Sequence, residues 1–107
     1  MNLNEMTKYL VAVASSIDNY CKYLNKDANN YSGILGYVYR VHQDDVKKLS
    51  PQGIALIVIS LENEKEEDYG KIINVVKNKA DRIIKRTNSI EQQFEKMEEF
   101  KQKAKKE

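Results

Sequence analysis

Between Ile73 and Ala104, two sets of residues recur every seven positions. Ile73, Ala80, Thr87, Phe94 and Lys101 form one set; Val76, Ile83, Ile90, Met97 and Ala104 form the other. The sets interleave at steps of three and four, as the a and d positions of a heptad do. Of the ten positions, only Thr87 and Lys101 are not apolar. Such a stripe commits the stretch to helix. Run without a break over about forty residues, that helix would be ~60 Å long at ~1.5 Å per residue. A globule of ~100 residues has a radius of gyration of only ~13 Å. The pattern predicts a long C-terminal heptad-patterned helix over residues 64–107, projecting from an N-terminal helical core over residues 1–63 of the same single domain.

Thr87-Asn88-Ser89 interrupts the stripe with a break signal, and Ser89 with Gln92 fits a capping box. The heptad nonetheless keeps its phase from Ile83 through Thr87 and Ile90 to Phe94. Phase retention favours one helix through 83–94, weakened or kinked at Asn88.

Charge on this segment comes in blocks. Residues 62–68 carry a net −4, residues 71–87 a net +5, residues 88–99 a net −3 and residues 101–107 a net +3. Local pairs on a solvated helical face, each worth about 0.2–0.5 kcal/mol, account for part of this. The alternation also predicts antiparallel pairing about Asn88, within one chain or between two, because parallel in-register pairing would oppose like charges.

The N-terminal half is less patterned. Met6, Leu10, Val13, Ile17, Tyr20 and Leu24 share one face of a helix over 4–25, with Asn4 as its N-cap. The stretch "KYLVAVASS" (8–16) lacks the basic cluster of a leader peptide and reads as part of that helix. Residues 25–32 read as a loop. Residues 33–49 and 49–61 are each compatible with helix or strand. "ILGYVYRV" is rich in β-branched and aromatic residues, whereas Ser50-Pro51 is a helix start, with Ser as N-cap and Pro at the first helical position. One Pro and four Gly are few for an all-β chain, and helix is favoured for both. The fold class is all-α, a small helical bundle with a long C-terminal amphipathic, coiled-coil-like helix. The alternative is α+β, pairing strands 34–41 and 54–60. The longest apolar run, "GIALIVISL" (53–61), is half the length of a membrane span.

Chemistry-bearing residues are sparse. Cys21 is the only cysteine, so neither an intrachain disulfide nor a thiolate zinc site can form. It falls on the apolar face of the first helix and reads as core. His42, the only histidine, has no nucleophile in local register and reads as structural. Asp44-Asp45 and "ENEKEEDYG" (62–70) lack calcium-loop spacing, and the latter reads as the acidic start of the long helix. "KNKADRIIKR" (77–86) offers candidate nucleic-acid contacts in Lys77, Lys79, Arg82, Lys85 and Arg86, although Lys77, Lys79, Arg82 and Lys85 read as spread round the helix and not as one stripe. Tyr9, Tyr20, Tyr23, Tyr31, Tyr37 and Tyr39 read as core edges or a protein interface rather than a base-stacking platform.

A formal net charge of +2 is too balanced for an overall nucleic-acid footprint. No phosphate loop, nucleophile elbow or zinc-binding His-Glu motif occurs. The expectation is a non-enzymatic, cytoplasmic protein–protein interaction or assembly module without cofactor or metal. Its interaction seam is Ile73, Val76, Ala80, Ile83, Thr87, Ile90, Phe94 and Met97, and its partner a second copy, antiparallel, or another protein's helix. The alternatives are a small helical subunit of a nucleoprotein complex, or a phage-accessory or immunity-type small protein at a membrane surface.

Overall fold

Ser50 and Pro51 start a helix as their types require. Ser50 is extended (φ −65°, ψ 157°), and its Oγ accepts the Gly53 N–H at 3.1 Å. The helix runs Pro51–Leu61, and residues 53–61 are buried on every side. An element apolar all round must sit in the middle of its domain. In the computed structural model, which describes residues 3–21 and 33–106, this helix is α4.

Around it lie α1 (Leu3–Cys21), α2 (Gly33–Val41), α3 (Gln43–Val46), α5 (Tyr69–Val76), α6 (Ala80–Arg86) and α7 (Ile90–Lys106). A 3-10 turn at Glu66–Asp68 leads into α5. Helices α1, α2, α5, α6 and α7 all touch α4, and α5 also packs along α7. The described elements are all helical, as expected, and residues 34–41 and 54–60 belong to helices rather than paired strands.

The core is one cluster. Leu10 enters from α1, Val38 and Tyr39 from α2, Val46 from α3, Ile72, Ile73 and Val76 from α5, Ala80 and Ile83 from α6, and Met97 from α7. Each large aliphatic side chain so buried contributes ~1.5–3 kcal/mol before entropy is counted.

Asn63, with φ 66°, turns the chain sharply after α4; Asn tolerates this left-handed conformation better than most residues. Gly53 answers a different need. A Cβ there would overlap Asp81 Oδ1, because α6 brings that carboxylate onto the start of α4. Asp81 accepts hydrogen bonds from the Ser50 N–H (3.1 and 3.2 Å) and from Ser50 Oγ (2.6 Å).

The expected single helix over 64–107 is not one rod. It divides into α5, α6 and α7, and the helix expected through 83–94 ends at Arg86. The principal extents are 34 × 30 × 23 Å, well short of a ~60 Å helix. The two breaks differ in kind. Across 77–79 the chain stays near helical, with Lys77 and Lys79 both in the right-handed region and tight bonds back to Ile73 and Val76. At Thr87 it becomes extended (φ −118°, ψ 146°).

The capping signal at Ser89 is used. Ser89 Oγ accepts the Gln92 N–H at 3.1 Å, while Gln92 Oε1 accepts the Asn88 N–H at 3.3 Å, one residue earlier than a standard capping box. Phase was preserved across the turn because α6 and α7 both present the stripe to the same core.

In the N-terminal half, α1 begins at Leu3, so Asn4 lies within its first turn rather than capping it. The expected extension to residue 25 and the loop at 25–32 fall outside the described residues. So do the side chains of Met6, Val13, Ile17, Tyr20, Cys21, Tyr23, Leu24 and Tyr31.

Candidate functional site

Seven of the eight seam residues pack into the core. Ile73, Val76, Ala80, Ile83 and Met97 are buried, Ile90 and Phe94 are half-buried against the same core, and Thr87 is half-buried between α6 and α7. The stripe that suggested an intermolecular coil is satisfied within one chain.

The charge blocks meet differently from the expectation. Helix α7 returns over α5, so that Lys101 and Lys105 reach Glu64 ahead of α5 and Phe100 reaches Lys79 behind it. Among the described residues, no ion pair joins the basic stretch 71–86 to the acidic stretch 91–99. Lys77 is held by Asp45 at 3.1 Å instead.

Lys101 explains its own place in an apolar stripe. Its ammonium lies 2.7 Å from Glu98 and 3.4 Å from Glu64, and donates to the Ser60 carbonyl at 3.2 Å. That carbonyl is in the last turn of α4, where acceptors lack intrahelical partners and a cation suits the helix dipole. Glu62, Glu64, Glu98 and Lys101 thus line an open pocket of about 210 Å³, together with Asn63, Ile59 and Phe94. Burial pushes the Glu64 carboxyl up, but the Lys105 and Lys101 ammoniums outweigh it and hold the group below its ordinary value. A carboxylate fixed in this way is a structural anion rather than a proton donor. Tyr9 closes the neighbourhood: burial and a hydrogen bond to Glu62 push its hydroxyl well up.

His42 lies between α2 and α3 with Tyr37 beside it, the ring centroids 6.1 Å apart. Its Nδ1 is 3.7 Å from Asp45 Oδ2, and its buried Nε2 has no hydrogen-bond partner. Among the described residues, no group of three or more His, Cys, Asp or Glu side chains could hold a metal ion. Tyr39 is buried, and Tyr37 packs edge-on against Tyr69 at 5.2 Å, so these rings are core edges. No described helix is long and apolar enough to cross a membrane.

A further cleft lies between α6 and α7. A cleft of about 280 Å³ is lined by Lys79, Arg82, Ile83, Arg86, Thr87, Lys96 and Phe100. Its construction follows from α6. Ala80 and Ile83 bury one face of that helix, and Asp81 is drawn away to Ser50. Lys79, Arg82 and Arg86, at steps of three and four, are left on one stripe. Helix α7 then supplies Lys96 and Phe100 from the opposite wall.

Four cations therefore line the cleft, and among the described residues no carboxylate does. Lys96 meets Glu99 at 3.4 Å, but both are more than half exposed, and such a pair is worth about 0–1 kcal/mol. The Lys79 ammonium sits 4.4 Å from the Phe100 ring centroid and that of Lys103 5.5 Å from it. Exposed cation–π contacts of this kind contribute about 0.5–1 kcal/mol, too little to hold Lys79 against a better anion.

Of the five basic residues picked from the sequence, Lys79, Arg82 and Arg86 converge here, Lys77 is committed to Asp45, and Lys85 is exposed outside the cleft. The expected scatter does not hold for Lys79 and Arg82, which share one stripe with Arg86. The 79/82/86 stripe was present at helical spacing, whereas Lys96, Phe100 and Lys103 required knowing that the chain turns at Thr87. The chain matches no family model, no curated protein and no solved structure.

Proposed function

We propose that this chain is a small, non-enzymatic nucleic-acid-binding protein that holds the phosphate backbone in the cleft between α6 and α7. The observation that carries the reading is the convergence of Lys79, Arg82, Arg86 and Lys96 on one recess with no carboxylate among its described lining residues. Guanidinium groups suit phosphate because their planar donors engage two oxygens at once. Crowded cations in a concave site also raise the local potential, which a polyanion relieves. The overall charge of +2 is no obstacle, since Glu64, Asp45 and Asp81 are each tied to partners elsewhere.

Binding is expected to weaken steeply with salt. Four phosphate contacts give a slope of about −3 in log K against log salt for a single strand. The double variant R82E/R86E removes two contacts and adds repulsion, so the slope should fall to about half that value. Fluorescence anisotropy with a labelled oligonucleotide across a salt series measures both. If neither single strands nor duplexes bind at low salt, the proposal fails.

A further inference from the structure

We infer that the α6–α7 cleft is a seat for one unpaired base of a single strand, with the base against Phe100 and the neighbouring phosphates of the strand among Lys79, Arg82, Arg86 and Lys96. This rests on the nucleic-acid reading above and narrows it to single-stranded ligands. Three observations support the narrowing. The site is recessed, and its volume of about 280 Å³ is at the small end of ligand pockets. A duplex presents phosphates on its outside and keeps its bases paired within, so its charge could reach the rim but no base could enter. An extruded base needs an aromatic partner and finds one in Phe100, a half-buried ring on the cleft wall.

The state of that ring is the second observation. Its cationic contacts, Lys79 and Lys103, are side chains long enough to swing away. A nucleotide would exchange them: the base takes the ring face, and Lys79 turns to the phosphate it would otherwise lack. Thr87 supplies the third. Its hydroxyl donates to the Ile83 carbonyl at 2.7 Å, so it is not free to donate to a base edge. The other polar groups lining the cleft are cations suited to phosphate. Recognition by stacking and charge, without reading of base edges, is sequence-tolerant.

The experiment compares labelled oligoadenylate of about 12 nucleotides, as RNA and as DNA, with the same strand annealed to its complement. Single strands should bind more tightly than the duplex; either sugar satisfies the inference, and the tighter one identifies the source. F100L should weaken single-strand binding about tenfold while leaving duplex binding and the salt slope unchanged. Duplex binding as tight as single-strand binding, or single-strand binding indifferent to F100L, would overturn the inference while leaving the phosphate reading intact. Loss of all binding at low salt in the parent chain would overturn both. Should F100L melt early by circular dichroism, the parent chain gives the answer instead. The Phe100 ring protons should move upfield in NMR spectra on saturation with oligoadenylate, and unmoved resonances overturn the inference.

Discussion

Lys101 occupies a stripe position where an apolar side chain is the norm, and its side chain is only 8% exposed. Replacing it with Met keeps the aliphatic volume and removes the charge. Three contacts go with that charge. The Ser60 carbonyl loses its donor, a loss of about 1 kcal/mol. Glu98, one-third exposed, can return to water. Glu64, 11% exposed, cannot do so easily, and keeps Lys105 at 3.1 Å as its one remaining cation. Removing one partner of a buried pair costs about 3–5 kcal/mol, and the presence of Lys105 puts this case at the lower end. K101M should therefore lose about 3 kcal/mol, equivalent to a fall in Tm of about 10–15 °C in a chain of this size. Urea and thermal melts followed by circular dichroism measure this, with the denaturant slope unchanged. A cycle with E64Q separates charge from packing. If the cost lies in an orphaned carboxylate, K101M/E64Q should lose less than the two single variants together, by about 1 kcal/mol or more. A K101M chain as stable as its parent, or strictly additive losses, would refute the reasoning.

Asp81→Ala should cost about 1–3 kcal/mol, because it strips the acceptor from the Ser50 N–H and hydroxyl and loosens the start of α4; the urea midpoint reports it. Acid should weaken the fold in a definite window. Asp45, beside the Lys77 ammonium that donates to it, and Glu64, which burial pushes up but Lys105 and Lys101 pull down further, both titrate below their ordinary values of 3.8 and 4.5. Groups with depressed folded values contribute stability that is fully present above the ordinary value and lost as pH falls through the folded one. The urea midpoint should hold level from neutral pH to about pH 5 and then drop, and E64Q should make that drop shallower.

The helical character of the chain was legible from local chemistry. Ser50-Pro51 announces the start of α4, and the run behind it, apolar on every side, can only be accommodated by full burial. The Ser89–Gln92 cap was also legible, yet it was outweighed by the unbroken heptad phase. Heptad phase does not distinguish a continuous helix from a broken one, for a physical reason. Phase records which face meets the core, and two helices folded onto one core keep the same face inward whether or not they are continuous. The cleft was half legible. Lys79, Arg82 and Arg86 share a stripe visible in the sequence, but Lys96 and Phe100 join them only through the reversal at Thr87. Lys101 looked like an imperfection in the stripe because its partner, the end of α4, lies forty residues away.

The position of α4 along the chain bears on how the protein is made. Its apolar residues are covered partly by α1 and α2, which emerge from the ribosome first, and partly by α5, α6 and α7, which come after. At about 5–20 residues per second, the stretch from Glu64 to Ala104 takes some seconds to synthesise. During that interval "IALIVISL" lacks half of its cover and resembles the segments that seed aggregation. Lys47 and Lys48 on one side, and Glu62, Glu64, Glu66 and Glu67 on the other, bracket the run with charge. The acidic cluster that looked like the opening of a long helix can thus also guard a core that is not yet closed.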